Sequence, residues 1–342
     1  MISFSPLSRH TTLRGMMLAT SLVLLTLLLG ACGGSTPPVN AGPVPNTVNP
    51  DAKTCSVSTA DLGSGGGAKA TAPNDKATGT ITIDDSPELQ PLLTQAQTEY
   101  LAANTKAKIT VNAETSTQSL TDVEGGKVQI GNTDVFAKTI NSTSYTNLTD
   151  NQVAVVVFAL VVNPDVAAYI TNLTTQQIQQ IFDGQIDNWD QLGGANEGIT
   201  VIGRPSVSDT DGTFIKYVMQ NAAASATQSV QDTDASVGDA VSSTPGAISY
   251  IATGFIGTGG KYNGKVVPIC IDGQKPSPGA VASNAYQFWT IEHMYTKGTA
   301  TGLAASFIKY IMSTAFQTND VPGLYFLPVS KLSAAAMQAH QP

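Results

Sequence analysis

The chain has three arginines, and two of them, Arg9 and Arg14, fall near its start. The third, Arg204, lies in Gly203-Arg204-Pro205-Ser206-Val207-Ser208-Asp209-Thr210-Asp211-Gly212-Thr213-Phe214. A guanidinium offers a planar fork of N–H donors that fits a carboxylate or a phosphate-like oxyanion. Ser206, Ser208 and Thr210 add hydroxyls beside it. The stretch follows a strand-like Thr200-Val201-Ile202 and precedes residues 213 to 220, which read as a helix. A helix start adds free backbone N–H groups and a partial positive charge. Two roles are open for Arg204: ligand of a bound anion, or plain salt bridge to Asp209 or Asp211.

Two more segments share this order of strand, hydroxyl-rich turn and helix start. Thr80–Ile83 alternates like a strand and runs into Asp84-Asp85-Ser86-Pro87-Glu88. There Ser86 reads as the N-cap, Pro87 as the first helical residue and Glu88 as a first-turn acid. Leu89, Leu92, Leu93, Ala96 and Tyr100 then follow at helical spacing. A second strand, Lys108–Val111, leads through Thr115-Ser116-Thr117-Gln118-Ser119 into a helix ending near Val123. A serine before a helix is usually only a cap, but three such turns and a lone arginine together read as an oxyanion cradle. Val128 to Asp134 reads as a strand with a polar tip, where Asp134 is either an acceptor for a ligand proton or a strand-end cap.

These turns need a rigid frame. Val153 to Val162 is a nearly continuous apolar run, as for a strand buried on both faces. Thr174-Thr175-Gln176-Gln177 is a capping box that opens a helix through Ile178, Ile181 and Phe182. Trp189, Phe288 and Trp289 read as core. Strands alternating with helices give an α/β fold, in which ligands bind where strands end and helices begin.

Arg9 and Arg14 with the apolar run Met16 to Gly30 form an export signal, residues 1–31. It ends in Leu29-Gly30-Ala31-Cys32, the pattern of a lipoprotein cleaved before Cys32 and lipidated on its sulfur; an ordinary signal peptide is the other reading. Residues 32–78 are rich in Gly, Pro, Ser, Thr and Ala and read as a flexible tether. Removing the signal takes the net charge from −8 to −10, since two arginines and no acid leave. An acidic chain without a basic run is not built for nucleic acid. Cys55 and Cys270 then form either a disulfide or two free thiols. Only His293 and His340 remain among the histidines, with no His/Cys cluster, no Gly-x-Ser-x-Gly elbow and no Walker A loop. No catalytic residue, metal or cofactor is expected.

Leu173-Thr174-Thr175-Gln176-Gln177-Ile178-Gln179-Gln180-Ile181-Phe182-Asp183-Gly184-Gln185-Ile186-Asp187-Asn188-Trp189-Asp190-Gln191-Leu192-Gly193-Gly194 and Thr244-Pro245-Gly246-Ala247-Ile248-Ser249-Tyr250 carry a family likeness. Over roughly residues 79 to 315 the chain resembles the phosphate receptors of ABC importers, proteins of the periplasmic-binding type. The resemblance implies a two-lobed type II fold, each lobe a mixed, mostly parallel sheet flanked by helices, joined by two hinge strands. Lobe I takes residues 79–155 and 257–342, and lobe II takes 156–256. The family's ligand positions fall on Ser86, Ser116, Asp134, Arg204, Ser208 and Thr210. Less direct matches are Ser119, Ser206, which stands where the family has aspartate, and Asp209, which replaces a glycine.

The resemblance gives Asp134 the proton that phosphate still carries, a contact that sulfate cannot make. It implies a monomeric, lipid-anchored, extracytoplasmic receptor that passes phosphate or a related oxyanion to an ABC permease. The family's loop glycines are missing, and Asp85 and Asp209 bring acids to their places. That departure motivates an alternative, in which the fold serves a different ligand or a surface interaction.

Overall fold

The computed structural model describes residues 55–342; the expected export signal, Cys32 and the first part of the expected tether lie outside the described residues. Among the described residues, ten strands and their helices alternate as the sequence pattern suggests. The strands are β1 (Gly79–Asp85), β2 (Ala107–Ala113), β3 (Ile130–Thr133), β4 (Leu148–Val162), β5 (Asn172–Leu173), β6 (Thr200–Gly203), β7 (Ser229–Val230), β8 (Ala247–Ala252), β9 (Val267–Ile271) and β10 (Trp289–Lys297). The sheet path runs β2-β1-β3-β10-β4-β8-β6-β7, with β9 joining β4 to β5. The pairs β1–β2, β1–β3, β6–β8 and β6–β7 are parallel, while β10 and β4 run antiparallel to their neighbours.

β4 is the member that ties the fold together. Its first part, residues 148–157, pairs with β10. Its last five, Phe158 to Val162, pair with β8, and Leu160 to Val162 also pair with β9. One strand thus belongs to two sheet halves, and Val153 to Val162 are buried throughout. This is why the run has no polar alternation: both of its faces are buried.

The helices follow their apolar spacing. Gln90–Ala103 buries Leu92, Leu93, Ala96 and Tyr100. Thr175–Phe182 begins at the expected capping box, with Thr174 accepting from Gln177 N, and buries Ile178, Ile181 and Phe182. Trp189 is a core residue whose Nε1 donates to Gly246 O at 3.0 Å. A Cβ at Gly246 would collide with the Gly198 carbonyl, and its φ of +69° favours glycine as well. The Trp189 and Gly246 signatures are therefore two sides of one packing contact. Phe288 and Trp289 are likewise buried.

The tether expected through residue 78 is corrected from Cys55 onward. Cys55 is disulfide-bonded to Cys270, with Cα atoms 6.2 Å apart. Lys275 Nζ meets Asp61 Oδ1 at 3.0 Å, Leu62 is buried, and Ala70 N donates to Asp320 Oδ2 at 2.7 Å. Asn104 Nδ2 donates to Pro73 O at 2.8 Å. Composition suggests a free chain, yet the few apolar residues of this stretch find sites on the body, and a covalent bond lowers the entropy of holding it there.

Candidate functional site

Four strand ends bring the site together. β1 ends at Asp85, and Ser86-Pro87-Glu88 turns into the Gln90–Ala103 helix. The helix starts later than expected: Ser86 is not its cap, and Pro91, not Pro87, lies in its first turn. The Ser86 hydroxyl, freed from capping, is buried without a partner. Glu88 becomes a turn residue and not a first-turn helical acid.

β2 leads to the Ser116–Glu124 helix, which Thr115 caps by accepting from Gln118 N. Ser116 Oγ, at the first helical position, donates to Asp134 Oδ1 at 3.0 Å. Ser119, one turn on, is buried with an unpartnered Oγ. This helix lies directly on β3, so close that a Cβ at Gly131 would collide with the Ser119 carbonyl. Asp134 follows β3. Its backbone carbonyl accepts from Thr290 Oγ1 at 2.6 Å, and its Oδ2 has no donor.

β6 delivers Arg204. Ser208 then caps the Asp209–Tyr217 helix by accepting from Asp211 N. The helix begins four residues before the expected 213 because the cap sits at Ser208. Phe214 anchors it, stacking on Tyr250 with ring centroids 4.2 Å apart and meeting Phe182 in a tilted contact at 4.7 Å. Arg204 is buried, its side chain 1% exposed. Its Nη2 donates to Asp234 Oδ1 at 3.0 Å and to Glu88 Oε1 at 3.3 Å, and Thr210 Oγ1 donates to the same Glu88 oxygen at 2.6 Å. Arg204 Nε and Nη1 have no partner. The simple salt bridge weighed from the sequence is not the one formed. Asp211 instead accepts from Tyr250 Oη at 2.7 Å, and Asp209 shares a cavity wall with Asp134 and Ser116.

A cavity of about 410 Å³ opens among these elements, lined by Pro87, Glu88, Thr115, Ser116, Asp134, Ser208 and Asp209. The first turns of two helices form part of its wall, and their free N–H groups suit an anion. Of the expected residues, Ser116, Asp134, Ser208 and Asp209 line it. Arg204 and Thr210 stand behind Glu88, and Ser86 lies beside the lining residue Pro87. Ser206 is exposed and outside the wall. Its place in the motif is on the outer side of the turn, which the spacing alone does not reveal.

Residues 70–315 match the model of the PBP superfamily domain. The phosphate-binding protein PstS of Bacillus subtilis is 38% identical over 258 residues, covering 75% of this chain and 83% of the relative. The chain belongs to the phosphate-binding-protein family. The fold agrees. A Clostridium perfringens protein solved with bound phosphate has a TM-score of 0.64 at 22% identity, over 73% of this chain and 100% of that one. An ABC-type phosphate transport receptor from Vibrio cholerae has a TM-score of 0.59 at 21% identity, over 72% and 99%. The architecture is the two-lobed type II periplasmic-binding fold, and the relatives it matches are binding proteins rather than enzymes.

Three acids escaped the sequence reading of the site. Glu88 was absorbed into a helix start. Asp234 sits at the start of the Asp234–Ser243 helix, where an acid is unremarkable, and nothing in its spacing ties it to Arg204. Glu292 lies in β10, fully buried, with neither carboxyl oxygen partnered. An acid within Trp289-Thr290-Ile291-Glu292-His293-Met294 is the one signal that could have found it.

So many carboxyls around one guanidinium cannot all be charged. Burial, then Glu88 and Asp209, raises Asp134 well above the usual range. Burial, then Asp134 and Glu88, does the same to Glu292. Burial, then Asp234, raises Glu88, while burial raises Asp209 and Asp234. Burial lifts Asp85 to about 7, against the donation from Asn132 Nδ2 at 2.8 Å. Protonated acids are donors, so the site is less hostile to an anion than its formal charge suggests.

Asp85 yields a stability prediction. Its folded-state pKa lies above the ordinary 3.8, so the folded form keeps a proton that the unfolded chain has lost. Stability is therefore highest below about pH 4 for this group and declines as pH rises through about 7. Asp85→Asn removes that titration. In ligand-free denaturant melts it is expected to match wild type near pH 4 and to exceed it by roughly 2–4 kcal/mol at pH 8. Equal slopes for the two proteins would refute the assignment.

Proposed function

We propose that this protein is an extracytoplasmic receptor that captures phosphate in the cleft and delivers it to an ABC importer. The observation that carries this reading is the set of unsatisfied groups at three of the four strand ends, those of β1, β3 and β6. Arg204 Nε and Nη1 and the Ser86 hydroxyl are buried donors without acceptors, and Asp134 Oδ2 is a buried acceptor without a donor. Buried polar groups are nearly always paired, so such a set points to a missing partner that both accepts and donates. Monohydrogen phosphate does both: its oxygens take the N–H and O–H groups, and its own proton goes to Asp134. The B. subtilis relative, identified as a phosphate-binding protein, supports the same ligand.

Closure follows from the connectivity. Ser86, Ser116 and Asp134 come from β1–β3, while Arg204, Ser208 and Thr210 come from the β6 side, so an anion touching both sets favours the closed arrangement of the lobes. We take β4 as one crossing between lobes. For the other we move the expected boundary at 256–257 to the Phe288–Trp289 start of β10, because β9 pairs with the β8-side end of β4. Lobe I then holds 79–157 and 288–342.

Anchoring at Cys32 belongs to the same proposal. Among the described residues no helix is long and apolar enough to cross a membrane; it is the Leu29-Gly30-Ala31-Cys32 pattern that supports attachment through lipid on that cysteine. Cys32→Ala is expected to move the protein from the detergent to the aqueous phase on phase partition. Unchanged partition would remove the anchor.

The ligand is tested by calorimetric titration of the phosphate-free protein with phosphate, and with sulfate as control. Saturable phosphate binding with sulfate silent is expected. No heat with phosphate, on folded protein, would favour the second reading, a fold turned to another ligand or to surface interaction. The contact of Glu88 with Arg204 and Thr210 is the observation that keeps that second reading in play.

A further inference from the structure

We propose that Glu88 is the resident anion of this cleft: its carboxylate occupies donors that an incoming oxyanion needs, so capture requires its displacement. The inference rests on the phosphate reading and adds a specificity-determining residue to it. Glu88 Oε1 accepts from Thr210 Oγ1 at 2.6 Å and from Arg204 Nη2 at 3.3 Å. A charge-assisted acceptor shared by a guanidinium and a hydroxyl is the arrangement that a phosphate oxygen would make. The carboxylate also joins the two sets of strand ends, since Glu88 follows β1 while Arg204 and Thr210 follow β6. Its side chain is 8% exposed, so water does not replace what it provides.

Displacement is physically simple. Glu88 lies in the turn before the Gln90–Ala103 helix, not within it, and the buried Leu89 pins the chain behind it. The side chain can swing on its own torsions without unwinding the helix. Glu88 also lines a second cavity, about 480 Å³ in volume, together with Gly254, Phe255 and Lys261. That cavity gives a displaced carboxylate room, with Lys261, itself paired with Asp239 at 3.1 Å, on its wall.

Proton uptake is the other way to release Arg204. Arg204 and Thr210 from the β6 side contact Glu88, and the charges near enough to act on it are Asp234 at its helix start, Asp85 from β1, Asp134 after β3 and Glu292 from β10. Of these only Arg204 is a cation. The four acids oppose a charge on Glu88, so its grip on Arg204 weakens as pH falls.

The test is parallel phosphate calorimetry on wild type, Glu88→Ala and Glu88→Gln, each shown folded by circular dichroism, at pH 8 and pH 5.5. Both variants are expected to bind roughly 10- to 100-fold tighter than wild type at pH 8. The gain is expected to be smaller at pH 5.5 than at pH 8, because burial and then Asp234 favour the protonated form of the wild-type carboxyl as pH falls. Binding by the variants but not by wild type would support the inference in its strongest form. Wild-type binding with equal or weaker binding by both variants would overturn it and leave the phosphate reading standing. A purely structural Glu88 predicts that second pattern. Absence of binding in all three proteins would overturn both.

Discussion

Replacing Arg204 with alanine is expected to lower phosphate affinity by at least about 100-fold and to weaken the folded protein more at pH 8 than at pH 5. The binding loss follows from the loss of two buried donors, Nε and Nη1, which no group among the described residues already occupies. Charge-assisted hydrogen bonds contribute roughly 1.5–3 kcal/mol each, so losing two is a large effect. The stability loss has a separate cause. Glu88 and Asp234 both lean on this guanidinium. Removing one partner of a buried charge cluster costs about 3–5 kcal/mol when the remaining charge stays. Here the acids have another course, because burial already raises both. As pH falls they take up protons more readily and the loss shrinks; as pH rises they stay charged and it grows. Titration calorimetry and denaturant melts at the two pH values read both effects. Unchanged phosphate affinity in Arg204→Ala would contradict the site.

The second large effect is expected at Asp134. Its Oδ2 is the buried acceptor without a donor, while Ser116 Oγ fixes Oδ1 at 3.0 Å. A carboxylate there can share a proton with monohydrogen phosphate. Sulfate brings no proton, so it meets either a charged carboxylate, which repels it, or a protonated one, which can donate. Burial and the neighbouring Glu88 and Asp209 hold Asp134 well above its ordinary range, so sulfate rejection weakens as pH falls. Asp134→Asn supplies a permanent amide donor. It is expected to weaken phosphate about 10-fold and to admit sulfate at every pH, a reversal of preference at pH 8. Competition of sulfate against labelled phosphate measures it. A variant that still rejects sulfate would show that discrimination lies elsewhere.

Much of the frame was legible because it obeys local rules. The apolar run Val153 to Val162 could only be a strand covered on both faces, and Thr174 to Gln177 could only open a helix. The Arg204 segment was legible because a single guanidinium amid hydroxyls has few uses. What the sequence could not convey is which side chain meets which across the cleft. Asp209 and Asp211 are close to Arg204 along the chain, yet its partners are Glu88 and Asp234, brought in from two other elements. Contacts of that kind depend on the docking of separate strand ends, and no periodicity encodes them. The tether misled for a related reason. Its composition is that of a free chain, but the Cys55–Cys270 bond and the buried Leu62, Ala70 and Ala72 hold it on the body. Ser86 misled through an ambiguity, since Pro87 and Pro91 both suit a helix start and only packing chooses between them.

The account turns on whether an anion occupies the unsatisfied groups, and a crystal structure of the protein grown with phosphate tests that directly. Phosphate is expected within hydrogen-bonding distance of Arg204 Nε and Nη1, Ser86 Oγ and Asp134 Oδ2, with the Glu88 carboxylate turned away from Thr210. An occupied crystal with phosphate elsewhere, or a cleft in which Arg204 still meets only Glu88 and Asp234 at saturating phosphate, would contradict it.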